Sequence, residues 1–511
     1  MPLLQRATGV DPLEIAEDAR RRLCTRVDSE RRSAFGQFFT PLATARLMAS
    51  MSGDCRERVR LLDAGAGVGA LTAAWISEVC SRDVRPTEVT LTAFELDETL
   101  VPELKQTLRR CEEACAAAGI VCAWEVRTTD FIEAAVDVLD AGLFRTNRPL
   151  YNVAILNPPY KKFRADSRTH QLLRRLDIET SNLYTAFLAL VLLLLDEGGE
   201  LIAITPRSFC NGPYFRPFRQ HLLRHVSLTR VHVFEARDYA FRDDEVLQEN
   251  VILRALKGVP QQRTVSISQS RTPDDSSGVQ RQAPFECVVR PGDSQAFIHL
   301  VPDDAGHALA QAIETLPCRL EDLGLCVSTG RIVDFRAHEW LQNEPTLGTV
   351  PLIYPTHFDA GVIRWPKSGS KKPNAIAHTP TSAALLIPAG VYVLVKRFSA
   401  KEERRRIIAA VFDPRLVPCE MVGFENHLNY FHDRGSPLDG AFAWGLSAFL
   451  NWSPLDTYFR QFNGHTQVNA TDLRSLRYPT RTTLSALGHR MQETLPPQDV
   501  LDAVVTQTLK G

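Results

Sequence analysis

The sequence predicts an α/β protein in which a mostly parallel sheet, covered by helices on both faces, is followed by a second, mixed α/β region. Three observations predict it. Short β-prone segments alternate with amphipathic helical ones from about residue 59 to 205, the pattern that builds parallel sheets. The first strand of that series runs into a glycine-rich turn that opens a helix. Near residue 258 the alternation stops, the composition turns polar, and the pattern beyond is irregular and punctuated by proline.

The elements follow in order. Helical periodicity over residues 11–27 gives a leading helix, with Arg20, Arg21 and Arg22 toward the C-terminal end that favours positive charge. Thr40-Pro41 opens a second helix through about Ser52, with Thr40 as N-cap and proline at the first helical position. Strands are expected over residues 59–63, 88–94, 121–127, 151–156 and 200–205, and helices over 70–80, 98–118 and around 183–195. Residues 258–282, rich in Gln, Ser, Thr, Asp and Gly, read as a loop or linker. The expected domains are therefore 1–257, a connecting segment 258–320, and 321–511, the last with a strand at 392–395 and a helix at 400–411. No internal repeat is evident.

A chain of 511 residues exceeds one ordinary core and has ample apolar content for two or more. The longest apolar run, residues 183–195, is too short to span a bilayer and reads as a buried helix. The opening residues lack the basic-then-apolar layout of a signal peptide, so a cytoplasmic protein with reduced thiols is expected. None of the 11 cysteines forms a CxxC pair, so neither a metal site nor a disulfide framework is expected, and Cys111 and Cys115 read as small buried side chains. A net charge of −1 supplies no global attraction to nucleic acid, which confines any such binding to local basic patches.

The glycine-rich turn is Leu61-Leu62-Asp63-Ala64-Gly65-Ala66-Gly67-Val68-Gly69-Ala70. Glycines let the backbone approach a ligand closely. The GxGxG spacing of Gly65, Gly67 and Gly69, preceded by Asp63, resembles motif I of class I S-adenosylmethionine methyltransferases, where the turn lies beside the methionine part of the cofactor. Glu95 ends the next strand at the sheet edge, where a carboxylate can accept hydrogen bonds from two ribose hydroxyls or, alternatively, cap a helix. Asp130 and Phe131 follow the third strand, suited to an adenine amino contact and to packing on the ring; Phe131 by itself reads more often as core.

The fourth strand delivers Asn157-Pro158-Pro159-Tyr160 to the same edge. Successive prolines forbid helix and fix the backbone, so the Asn157 side chain and the Pro158 carbonyl can be held in one geometry. Two such acceptors bind the two hydrogens of an exocyclic amine and favour the pyramidal form whose lone pair attacks a sulfonium methyl in line. No strong base is needed, because the proton becomes acidic once the nitrogen is methylated. Tyr160 would stack on a target base that has left its duplex. A Pro-Pro turn with a core tyrosine is the plainer alternative for this tetrapeptide alone.

With both motifs in this order, the sequence resembles the gamma-class N6-adenine DNA methyltransferases of the Eco57I type, found in type II restriction-modification systems. Gly36-Gln37-Phe38-Phe39-Thr40-Pro41 resembles the family's motif X, which implies that Thr40 lies over the cofactor. The stretch from Phe234 to Asn250 resembles motif VIII, which makes Phe241 a second aromatic contact to the flipped base. Matches in the C-terminal half include Ser328-Thr329-Gly330-Arg331, Val395-Lys396-Arg397-Phe398-Ser399, Glu425-Asn426-His427-Leu428-Asn429 and Asn463-Gly464-His465. The resemblance implies a Rossmann-like catalytic domain, S-adenosylmethionine as cofactor, and a C-terminal target-recognition domain. It also implies double-stranded DNA as substrate, a cognate endonuclease acting separately, and a monomer.

Lys371 and Lys372 lie in a Gly/Ser/Pro-containing loop, and Lys396 and Arg397 form a second cluster; these four are the expected phosphate contacts. The Lys401 to Arg406 run suits a DNA-facing cluster and a solvated helix face about equally. Three rivals stand beside the DNA reading. The same tetrapeptide serves glutamine-amide and RNA methyltransferases, although ~250 additional C-terminal residues exceed what a compact protein methylase needs. A fused nuclease lacks room before residue 36 and a recognisable PD…(D/E)xK group. A non-catalytic DNA-binding subunit would have lost Asn157 or the glycines.

Overall fold

The computed structural model describes residues 11–26, 39–53, 56–140, 150–234, 249–275, 279–301, 303–399, 403–463, 467–491 and 493–510. The chain forms two compact units, Met1–Asp303 and Asp304–Gly511. Among the described residues, no helix is long and apolar enough to cross a membrane.

The first unit holds nine strands: β1 (Arg58–Ala64), β2 (Glu88–Phe94), β3 (Val121–Arg127), β4 (Tyr151–Leu156), β5 (Leu195–Pro206), β6 (Val226–Phe234), β7 (Asn250–Lys257), β8 (Thr264–Ser270) and β9 (Val279–Pro284). Its helices include α1 (Pro12–Arg26), α2 (Leu42–Ser50), α3 (Ala70–Ser81), α4 (Val101–Ala117), α5 (Phe131–Asp140), α6 (Arg168–Arg174), α7 (Leu183–Leu194) and α8 (Arg216–His225). The sheet order is β3-β2-β1-β4-β5-β7-β6-β8-β9. Strands β3 to β5 are mutually parallel, and β7 inserts antiparallel between β5 and β6. This is a Rossmann-like α/β sheet.

Both faces of the central strands are covered, which is why they read as continuous apolar runs. On β1 the side-chain alternation sends Leu61 into a core with α1 to α4 and Leu62 into a core with α5 and α7. On β4, Val153 and Ile155 join the first core, and Ala154 and Leu156 the second. Helix α7 is apolar all round because it is enclosed: Leu188, Leu190 and Leu192 are fully buried.

Three expectations are corrected. The polar stretch after Gly258 is not a linker. It folds as β8 and β9 on the far edge of the first sheet, and the units divide after Asp303, inside the 258–320 segment, so that its first part belongs to the first unit. The Ser-rich composition is one face of β8, whose other face buries Val265 and Ile267. The buried serines are satisfied: His232 bonds Ser268 Oγ at 2.9 Å and Ser270 Oγ at 3.0 Å. The second correction concerns Thr40. Pro41, not Thr40, is the N-cap of α2, and no side chain caps that helix. The third concerns the helix expected over 400–411.

In the second unit Ala409–Phe412 is a strand pairing antiparallel with Tyr392–Lys396. Ile407 and Ala409 to Phe412 are all buried, which a one-sided surface helix would not do. The unit contains a six-stranded and a five-stranded sheet. Its helices Gly440–Leu450 and Arg481–His489 cross at two glycines: a Cβ at Gly445 would lie 1.7 Å from Leu484 O, and one at Gly488 1.6 Å from Ala441 O. Only hydrogen at these positions permits so close an approach.

Candidate active site

The carboxyl edge of the parallel strands carries the chemistry. After β1 the chain turns through Gly65 (φ 85°) and Gly67 (φ 57°) to Gly69 (φ 83°), the N-cap of α3; all three lie in the left-handed region that favours glycine. The turn is tied to its neighbour. The Gly65 and Ala66 amides donate to Phe94 O at 2.9 and 2.8 Å, and the Gly67 amide donates to Glu95 Oε2 at 2.7 Å. The other oxygen of Glu95 accepts from the Asp97 amide at 2.7 Å. Glu95 thus joins the loops after β1 and β2, and burial raises its pKa above the usual carboxylate value.

Asp63 lies underneath. It is fully buried, accepts a hydrogen bond from Thr72 Oγ1 at 2.7 Å, and burial pushes its carboxyl up to about 7, with nearby Glu95 adding to the shift. Asp63 and Gly69 are absent from the lining of the adjacent cavity: Asp63 is tied to Thr72 of α3, and Gly69 is the N-cap of that helix.

That cavity has a volume of about 360 Å³. Gly65, Gly67 and Glu95 line one side, Thr129, Asp130 and Phe131 another, and Asn157 with Pro159 a third. Asp130 Oδ1 also caps α5, accepting from the Ile132 and Glu133 amides at 2.7 and 3.1 Å. Phe131 is core and wall at once: it packs on Phe94 and Phe187 at centroid distances of 5.2 and 4.9 Å. The apolar lining is completed by Phe39, Phe94, Leu96, Leu100, Ile132, Leu183 and Phe187.

Asn157 follows β4 directly. Its Nδ2 donates to Thr40 Oγ1 at 3.1 Å, so the residue expected to cap α2 instead orients the amide of the tetrapeptide. Tyr160 Oη donates to Ile204 O on β5 at 3.3 Å, and its ring meets Tyr184 edge-on at 6.1 Å. Burial raises the Tyr160 phenol well above its ordinary pKa, keeping it neutral. Pro158 and Tyr160 flank the cavity without appearing in its lining. Phe241, with the rest of segment 235–248, lies outside the described residues.

In the second unit the expected DNA contacts are placed unevenly. Lys371 is exposed. Lys372 pairs with Asp334 at 2.7 Å and sits 5.2 Å above the Tyr354 ring. Lys396 is half-buried over Phe358, which lowers its pKa, and Arg397 donates to Asn426 O at 3.3 Å beside Phe398. Arg406 is buried, donating to Asn463 Oδ1 at 2.7 Å, and is structural; Lys401 lies outside the described residues. Asn429 is buried and bonds Val468 O at 2.8 Å, which makes it structural too; His465 is outside the described residues.

Sequence reasoning missed Leu96, Leu100, Ile132, Lys161, Leu183 and Phe187 as cavity residues. Leu96, Ile132 and Lys161 each immediately follow a residue that it did single out, and Leu96 is half exposed, an unusual state for leucine beside a cavity. Leu183 and Phe187 sit on α7, whose uniform hydrophobicity conceals which side chains face the site.

Residues 94–241 match a family described as Eco57I restriction-modification methylase. The chain is 42% identical over 97% of its length to the type II methyltransferase M.PstI of Providencia stuartii, covering 97% of that protein. It is 46% identical to M.BsuBI of Bacillus subtilis, covering 89% of this chain and 90% of that one. Among solved structures, the type IIL restriction-modification enzyme MmeI in complex with DNA shares the fold at a TM-score of 0.55 and 11% identity, over 98% of this chain and 74% of the other.

Proposed function

This chain belongs to the Eco57I-type family of restriction-modification methylases, and we propose that within it the chain methylates N6 of a flipped-out adenine in double-stranded DNA. The observation that carries the reading is Asn157, oriented by Thr40, on the wall of the cavity that the glycine-rich turn and Glu95 also line. The residues present fit S-adenosylmethionine. Gly65 and Gly67 leave the backbone open to the methionine part, Glu95 offers carboxylate acceptors for ribose, and Asp130 with Phe131 and Ile132 offers a polar and apolar seat for adenine.

When bound, S-adenosylmethionine supplies an electrophilic sulfonium methyl. The chain's part is to prepare the nucleophile. With Nδ2 committed to Thr40, Asn157 presents its oxygen to one hydrogen of the exocyclic amine, and the Pro158 carbonyl accepts the other. Two acceptors localise the nitrogen lone pair and aim it, worth a large part of the barrier through positioning alone. The neutral Tyr160 ring, its hydroxyl held by Ile204, forms one face for the extruded base, and Phe241 would form the opposite one. Lys371, Lys372, Lys396 and Arg397 are proposed to take phosphates, with the second unit as target reader. The protein would act as a cytoplasmic monomer, apart from its endonuclease.

Labelled methyl appearing on adenine N6 of duplex DNA supports this reading. Label found only on RNA or on a glutamine amide would overturn it.

A further inference from the structure

Loop 207–215 follows β5 at the same sheet edge at which the tetrapeptide follows β4. The two strands are parallel neighbours, with Leu156 opposite Ala203, so both loops leave the sheet side by side. Loop 207–215 is held firmly. Buried Arg219 of α8 donates from Nη1 to Phe209 O at 2.9 Å and to Gly212 O at 2.7 Å, and from Nε to Gln295 O at 3.0 Å. The Phe215 amide donates to Gly212 O at 3.0 Å, and Ser208 Oγ lies 3.2 Å from the Tyr184 hydroxyl.

The loop is also stacked onto the site. The Phe215 ring lies 5.7 Å from Tyr184, and Tyr184 meets Tyr160 edge-on at 6.1 Å. Phe209, Cys210, Asn211 and Phe215 are all buried, yet Tyr214 between them is 79% exposed. A rigid loop that buries its neighbours and holds one aromatic ring in solvent forgoes the burial that usually stabilises tyrosine. Arg216, next but one in the chain, is exposed as well.

We propose that Tyr214 is a DNA-contacting residue that stacks into the duplex beside the extruded adenine and holds the flipped state, with Arg216 on the adjoining phosphate. An aromatic ring has a face that any base can stack on, and a site that removes a base from the helix gains from a filler that keeps it out. Arg219 is the positioning residue that fixes the loop. The inference rests on the DNA reading of the preceding subsection.

The test uses the full chain, on a duplex carrying the sequence that the wild type methylates in genomic DNA. A second duplex has an abasic position opposite the target adenine. Tyr214→Ala is expected to lose about 5- to 150-fold in kcat/KM on the paired duplex. Tyr214→Phe, which keeps the ring, should stay within about threefold of wild type on the scale of base stacking. On the abasic duplex, where extrusion costs little, Tyr214→Ala should recover to within about threefold, with cofactor affinity unchanged throughout. Wild-type activity in Tyr214→Ala, or an equal loss on both duplexes, overturns the proposal. A wild type that methylates no duplex DNA overturns the underlying reading and this inference with it, and that result is read before any variant is made.

Discussion

Replacing Glu95 by glutamine removes a single charge, yet it should loosen the whole cofactor edge. Both carboxylate oxygens accept backbone amides at 2.7 Å, one from Gly67 in the turn after β1 and one from Asp97 in the loop after β2. Glutamine can satisfy only one of them; its amide nitrogen would face an N–H as donor against donor. A hydrogen bond to a charged group contributes roughly 1.5–3 kcal/mol, and the group left unsatisfied adds its own desolvation cost. Because the Gly67 turn lines the cavity, the loss falls mainly on cofactor binding: about 10- to 150-fold in Kd. Titration calorimetry with S-adenosylmethionine or its demethylated product measures this directly, and methyl transfer at saturating cofactor should recover most of its rate. Affinity within about twofold of wild type would refute the coupling of the two loops through this side chain.

Other consequences are equally open to measurement. Asp63 has a folded pKa raised from 3.8 to about 7, so its contribution to stability is full below the unfolded value and is lost as pH rises through about 7. Unfolding free energy should therefore fall by roughly 2 kcal/mol between about pH 5.5 and pH 8, and Asp63→Asn should flatten that slope; equal slopes would contradict it. Thr40→Val removes the acceptor of Asn157 Nδ2 and should lower kcat by about tenfold, while Thr40→Ser retains most of it; a changed cofactor Kd with unchanged kcat would argue for a different role. Asn157→Ala should abolish transfer and keep cofactor binding, so residual turnover above about 1% would count against its role as acceptor. Gly445→Ala drives a methyl to 1.7 Å from Leu484 O and should destabilise the second unit by about 3 kcal/mol or more in denaturant titrations; a cost under about 1 kcal/mol would show that the helices can separate freely.

Strands β2, β3 and β4 were legible in the sequence to the residue, because each is bounded by clear turn signals and β2 and β4 are also largely buried parallel strands. That Gly65, Gly67, Glu95, Asp130, Phe131 and Asn157 come together around one cavity was legible too, since loops after parallel strands converge on one edge whatever the side-chain detail. Strands β8 and β9 were not. Strand β8, one strand in from the sheet edge, alternates Val and Ile with Ser, and the hydrogen bonds of His232 to those buried serines belong to tertiary structure. The 400–411 segment misled for a related reason: its basic run suggested a surface helix, whereas Arg406 is enclosed by Ser399, Asp456 and Asn463, partners far apart in sequence. Thr40 illustrates the same limit, since a threonine before Pro-Leu reads locally as a cap and only the folded chain brings Asn157 to it.

The central claim is that Asn157 and its neighbours activate the exocyclic amine of adenine in DNA. Its most direct test is to incubate the purified chain with duplex genomic DNA and isotopically labelled S-adenosylmethionine, digest the DNA to nucleosides, and identify the labelled base by mass spectrometry. N6-methyladenine, abolished in Asn157→Ala, is the predicted product. Label on cytosine, or adenine labelling that survives Asn157→Ala, would contradict the account.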